Sequence, residues 1–379
     1  MGERRVPRLI KLLPIAAPAV IALAFGLWAG LLRLGFDLES PRPNLAGLHG
    51  PLMVLGFLGT QIGLERAVAL KRYWWTYLAP AATAAGAVWL LVGFPLRGGQ
   101  VLLLAGGIGL TAILVKVMQI QTAWHNAVML LGGVAWIAAV IIWMSGTALH
   151  LVMPWLAAFL VLTIVAERME LSRMRQPSAQ IRALLLVAVL IFSVGILVTL
   201  WHETLGMRIA GLGLVAQAAW LARWDIARFT IRSTGAPRYM AYALSAGYVW
   251  LAVGGVVWLV EGAPPVGGLT YDAMVHAIFL GFVFSMVFAH APVIVPAVLS
   301  VALPYRPVLY VPLALLHGGL VVRMVGDWSQ NLTAWRWGGV LGELAIVLFL
   351  AISATLAVRA RRRPARGRPP AVRKATTPA

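Results

Sequence analysis

Residues 272–296 read DAMVHAIFLGFVFSMVFAHAPVIVP. About 20 apolar residues cross a bilayer as a helix, and this stretch is long and apolar enough to do so. Yet it holds two histidines, His276 and His290. Imidazole is costly in lipid and is kept there for a partner or a function. Reading this stretch as a membrane helix decides the fold class, because the rest of the chain has the same character. Hydrophobic residues make up 61% of it and charged residues 11%, against about 25% charged in a soluble domain. Cysteine is absent, which excludes disulfides, thiolate metal sites and cysteine nucleophiles. Any metal must be held by His, Met or carboxylates.

Apolar runs of spanning length recur twelve times, at 10–34, 47–69, 76–95, 99–118, 126–145, 149–167, 182–200, 206–223, 240–260, 271–292, 307–325 and 337–358. Proline and glycine punctuate the gaps, as in Phe94-Pro95-Leu96 and Gly262-Ala263-Pro264-Pro265. The expected fold is all-α, a polytopic integral membrane helix bundle of about 12 transmembrane helices. The basic start (Arg4, Arg5, Arg8, Lys11) resembles a signal peptide. The apolar run after it is too long and no cleavage site stands out, so it is expected to stay as the first helix.

Lys and Arg set the orientation. With the N-terminus in the cytoplasm, 25 of the 31 Lys and Arg fall inside, eight of them between Arg359 and Lys374. Six fall outside: Arg33, Arg42, Arg97, Arg208, Arg323 and Arg336. Both termini are therefore expected in the cytoplasm. Topology accounts for most of the net charge of +19, and nucleic acid is not an expected partner. The expected domains are one bundle over 1–358 and a disordered basic cytoplasmic tail over 359–379. The tail's ARRRPARGRPPAVRKATTPA is suited to the anionic surface of the lipid bilayer. No gap leaves room for a soluble nucleotide-binding domain, and no Walker or Rossmann fingerprint occurs.

The topology gives each of the seven histidines a depth. His49 and His276 lie at a similar outer depth in the second and tenth runs. His317 lies at the middle or outer half of the eleventh. His125 and His290 lie near the inner face, and His150 and His202 at outer helix ends. Between His276 and His290, fourteen residues at ~1.5 Å and ~100° each give ~21 Å of rise and nearly whole turns. The two are thus expected on one face, at opposite depths, each able to serve a different cofactor. In LHGPLMVLGFLGTQIGLERAVAL (48–70), His49 heads a stripe of Gly56, Gly59 and Gly63. Gly281 follows His276 and Gly132 follows His125. Such stripes suit either a flat macrocycle or close helix packing. Depth pairs His49 with His276 as axial ligands of one outer haem, with His317 as competitor or as ligand to a nearby copper. Arg33 and Arg323, at the same depth, suit anionic propionates. His125 and His290 form a weaker inner site.

At the inner helix ends, Glu65 sits beside Arg66, Glu167 and Glu170 beside Arg168 and Arg173, and Asp225 near Arg228. These are expected to pair at the interface or to admit protons. Glu343, a third of the way in from the outside, is the stronger candidate for an intramembrane proton-active group, and Gln61 is polar at mid-membrane.

LHGPLMVLGFLGT (48–60) resembles the second helix of haem–copper oxidase subunit I, where a histidine binds low-spin haem. That subunit also has twelve spans, and its tenth helix supplies the opposite axial ligand. HAIFLGFVFSM (276–286) resembles the late His-Ala helix of the NnrS family, twelve-span bacterial membrane proteins associated with haem, copper and nitric-oxide metabolism. The resemblance implies haem b bound by His49 and His276, copper as a second metal, and His317 as a further metal ligand. It implies a place in the bacterial inner membrane, with an electron-donor protein or quinone as partner. The function it implies is electron transfer or nitric-oxide-linked respiration. The chain departs from these families in three places. No His-His pair occurs, His49-Gly50-Pro51-Leu52-Met53 replaces a His-Ala-His-Glu-Met motif, and Ala289-His290-Ala291-Pro292 replaces a Thr-Arg and Gly-His segment. A complete haem–copper centre is therefore not expected. Two other classes fit the same span count: a secondary transporter, and a non-catalytic haem-binding sensor or assembly subunit.

Overall fold

The structure, a computed structural model, describes residues 8–263 and 268–362. It is helical, with no strand among the described residues. Among the described residues, twelve helices are long and apolar enough to cross a membrane: α1 (Ile10–Arg33), α2 (Leu45–Ala69), α3 (Trp74–Val92), α4 (Leu96–Ile120), α5 (Trp124–Met144), α6 (Leu149–Arg175), α7 (Ala179–Val198), α8 (Glu203–Trp224), α9 (Ala236–Glu261), α10 (Leu269–Leu299), α11 (Pro307–Trp328) and α12 (Leu332–Arg361). In lipid a helix satisfies its own backbone polar groups, so the apolar runs become helices and the Gly/Pro gaps become turns. Gly93, at φ +90, ends α3 in the left-handed conformation.

One boundary differs from expectation. The last helix continues through Arg359 and Arg361 to Arg362, so the start of the expected tail is helical. The alanine-rich run ATLAVRA carries its propensity past the apolar stretch. The remainder of that tail lies outside the described residues.

The packing order repeats every four helices. The helix α1 packs on α2, α5 on α6, and α9 on α10; likewise α3 on α4, α7 on α8, and α11 on α12. The units join through α4–α5, α8–α9 and α1–α12. The second helix of each unit is central: α6 and α2 are the most buried of the twelve, at 83% and 67%. These helices and α10 meet at three depths. His49 faces His276 at one end, Phe57 stacks on Phe284 in the middle, and Arg66 meets Glu167 near the other end.

Two of the central helices are not regular. In α2 the segment Leu52–Gly59 is π-helical, and in α10 so is Ala277–Phe284. Each follows a histidine of the outer pair, and each is almost wholly buried. A π segment bonds i to i+5, which slips the angular phase of everything beyond it. His276 turns toward His49 of α2, and His290 toward Arg168 of α6.

Candidate functional site

The chain enters α2 through Asn44, held left-handed at φ 58, and a 3-10 turn over Leu45–Leu48. Asn tolerates that conformation better than most residues. The turn places His49 against α1, where its Nδ1 lies 2.8 Å from the Gly26 carbonyl. On α10, His276 Nδ1 lies 3.0 Å from the Asp272 carbonyl and 3.3 Å from Asp272 Oδ1. A carbonyl only accepts, so each Nδ1 carries the proton and each Nε2 keeps its lone pair. The two rings stand 6.4 Å apart, centre to centre, at 32°. Metal-ligating histidines are held in this way, with one ring N–H tied to an oxygen and the other nitrogen free to bind.

A charged cluster, buried at Arg323 and Asp327, surrounds the pair. Arg323 clamps Asp272 in bidentate fashion, Nε to Oδ2 at 2.6 Å and Nη2 to Oδ1 at 2.8 Å. Its guanidinium stands 5.7 Å from the Trp335 ring centre. The expected Arg323 is therefore a buried ion-pair partner and does not snorkel. Arg33, exposed at the end of α1, lies within electrostatic reach of His49 along with Arg323. Glu343 lies so near Gly30 of α1 that an added Cβ would overlap its carboxylate and meet His49 Cε1 at 3.2 Å. Asp327, one turn beyond Arg323, is 2% exposed, and neither carboxylate oxygen finds a hydrogen-bond partner among the described residues.

The other expected ligands go elsewhere. His317 Nδ1 accepts from Trp250 Nε1 at 3.0 Å, and its Nε2 faces Ser285 Oγ at 3.5 Å. It holds the opposite tautomer to the pair, with its lone pair engaged. His49, His276 and His317 do not form one metal-holding group, and none of three or more His, Asp or Glu occurs among the described residues. The weaker inner site is not assembled either. His290 gives Nδ1–H to the Met286 carbonyl at 2.8 Å, and its Nε2 accepts from Arg168 Nη1 at 3.3 Å. His125 instead lies 3.9 Å from Glu170.

The inner acids and arginines pair both locally and between helices: Arg66 lies 3.6 Å from its neighbour Glu65, as expected. Arg66 of α2 bonds Glu167 of α6. Arg168 of α6 clamps Asp225, after α8, at 3.0 and 2.8 Å, with exposures of 2% and 0%. Adjacent residues on a helix point in different directions, so Glu167 and its neighbour Arg168 reach different partners. The local pairing of Asp225 with Arg228 is corrected by this: Arg228 donates to the Arg223 carbonyl.

The glycine stripes serve packing. A Cβ at Gly56 would meet Ala22 and Ala87, at Gly59 the Trp136 ring, at Gly63 Pro80, at Gly281 Trp250, and at Gly132 the Phe159 carbonyl. The glycines bordering the pair are Gly26 and Gly30 of α1, which the sequence reading passed over. Asp272, Asp327 and Trp250 were also passed over. Asp272 carried a signal, since it precedes His276 by four residues and so shares its helix face.

Haem can be tested against these residues. Two imidazoles across one metal ion have ring centres about 6.3 Å apart, from metal–nitrogen bonds of about 2.0–2.1 Å and about 1.1 Å from nitrogen to centre. The observed 6.4 Å matches this. Two cavities stand out, and neither is lined by the pair. One is an apolar crevice of about 370 Å³ between α1 and α3, including Pro14, Pro18 and Trp89. The other is far smaller, about 10 Å³. The donor set thus suits an axial pair, and room for a macrocycle rests on the bare α1 surface at Gly26 and Gly30 and on displacing the Glu343 carboxylate.

No curated protein and no solved structure matches the chain. The model of one family, described as a domain of unknown function (DUF8744), matches residues 11–358, which span all twelve helices nearly end to end, and the chain belongs to that family.

Proposed function

We propose that the protein is a haem-binding membrane protein that passes electrons, with His49 and His276 as the residues that would hold one haem b. The observation that carries this is the pair itself: two half-buried imidazoles on separate central helices, each with Nδ1 tied to a carbonyl, their ring centres 6.4 Å apart. Haem supplies one-electron chemistry when bound. The chain's residues orient and tune the ligands. Gly26 and Asp272 fix the ring orientations. Asp272 faces the His276 Nδ1–H and fixes that ring, while Arg323 neutralises the carboxylate. Arg323 and Arg33 provide positive charge for propionates. Resemblance to haem–copper oxidase subunit I and the NnrS family, and a bacterial inner-membrane location, accord with this reading.

The test is haem content. Protein purified from haem-replete cells should carry about one haem per chain, as a pyridine haemochrome. His49→Ala/His276→Ala should carry none while inserting normally. Haem retained by the double variant would refute the assignment. A second reading, a secondary transporter, draws support from the interrupted helices α2 and α10 and the buried ion pairs at their ends. A colourless wild-type protein from the same cells would favour it.

A further inference from the structure

The cavity of about 10 Å³ belongs to neither charged cluster. It has room for a single water or ion. It lies between α6, α8 and α10, and three methionines line it, one from each helix: Met153, Met207 and Met274. They are 5%, 2% and 0% exposed. The half-buried His150, Glu203 and Tyr271 line it too, with Pro154 and Ala263 completing the wall. The three helices start at Leu149, Glu203 and Leu269, so each methionine lies four or five residues in. At ~1.5 Å per residue the three thioethers share one depth, ~6–8 Å from the helix starts.

We propose that this cavity is a copper(I) site, with the sulfurs of Met153, Met207 and Met274 and the imidazole of His150 as ligands. Thioethers are soft and uncharged, and they select Cu(I) over hard divalent ions, which need oxygen. A monovalent ion is the one a low-dielectric site of neutral ligands tolerates best, and the Glu203 carboxylate in the lining offsets its single charge. The volume admits an ion and excludes a macrocycle. His49 and His276 do not line the cavity, so the site stands independently of the haem reading. Methionine also fills irregular gaps in cores, but packing alone would be served as well by leucine, which makes substitution a clean test.

The experiment is an anaerobic titration of the full-length protein, purified in detergent, with Cu(I) against a competing chromogenic chelator. X-ray absorption then reads the ligand shell. One equivalent should bind, with sulfur dominating the shell. Met207→Leu/Met274→Leu, close in volume, should abolish that binding. The singles Met153→Leu, Met207→Leu and Met274→Leu should each weaken it by roughly tenfold or more, which keeps the test valid should the double variant not fold. His49→Ala/His276→Ala should bind copper as the wild type does. Absence of binding in the wild type would overturn the proposal, as would unchanged binding in the folded leucine variants or loss in the histidine variant.

Discussion

At the residue scale, the ion pair Arg168–Asp225 is among the most buried charges in the molecule. Removing one partner leaves the other charge unpaired in a low-dielectric interior. Asp225→Asn or Arg168→Leu should therefore destabilise by about 3–5 kcal/mol. Arg168→Leu/Asp225→Leu should recover much of that loss, because no orphan charge remains. Thermal unfolding in detergent reads both, and a double variant weaker than either single would contradict the pairing. The same logic explains what the sequence could and could not disclose. His49 and His276 pair by depth alone, which hydropathy and alternation of direction supply. Asp272 stands in plain view four residues before His276, yet its partner Arg323 is 51 positions away, and no local pattern joins them. His317 looked like a ligand because intramembrane imidazole needs a partner; the partner is Trp250, and only packing reveals it.

At the scale of elements, hydropathy locates all twelve helices, since burial in lipid acts on composition. The π segments leave no trace in composition, and helical periodicity counted through them misplaces every face beyond. The contacts now separate the roles of the glycines. Gly59 lies against Trp136, a ring 1% exposed and locked by its bond to the Leu103 carbonyl. Gly59→Leu should cost about 1–3 kcal/mol through overpacking, read as a lowered thermal midpoint. Gly50 has nothing within 4 Å of an added Cβ, and Gly50→Ala should leave that midpoint unchanged. Gly30→Ala meets the flexible end of Glu343 and the His49 ring. It should spare the fold and lower haem content, and a normal haem content would remove α1 from the site.

At the scale of the molecule, an even number of crossings puts both ends of the bundle on one side, and the Lys and Arg bias leads to the expectation that this side is the cytoplasm. Reporter fusions after Arg362 should be active as cytoplasmic fusions and silent as periplasmic phosphatase; the reverse would invert the assignment. The three four-helix units were hidden from the sequence because no short repeat marks them, and because packing order is a property of contacts. Their consequence is that α2, α6 and α10 form the centre, so one face of that centre carries the histidine pair. The most direct measurement of that claim is carbon monoxide binding to the reduced, haem-loaded protein. With both axial positions filled, the wild type and His317→Ala should show no spectral shift. His276→Ala should keep haem on His49, open one position and bind carbon monoxide. A shift in the wild type that disappears in His317→Ala, or a His276→Ala spectrum identical to the wild type, would contradict the account.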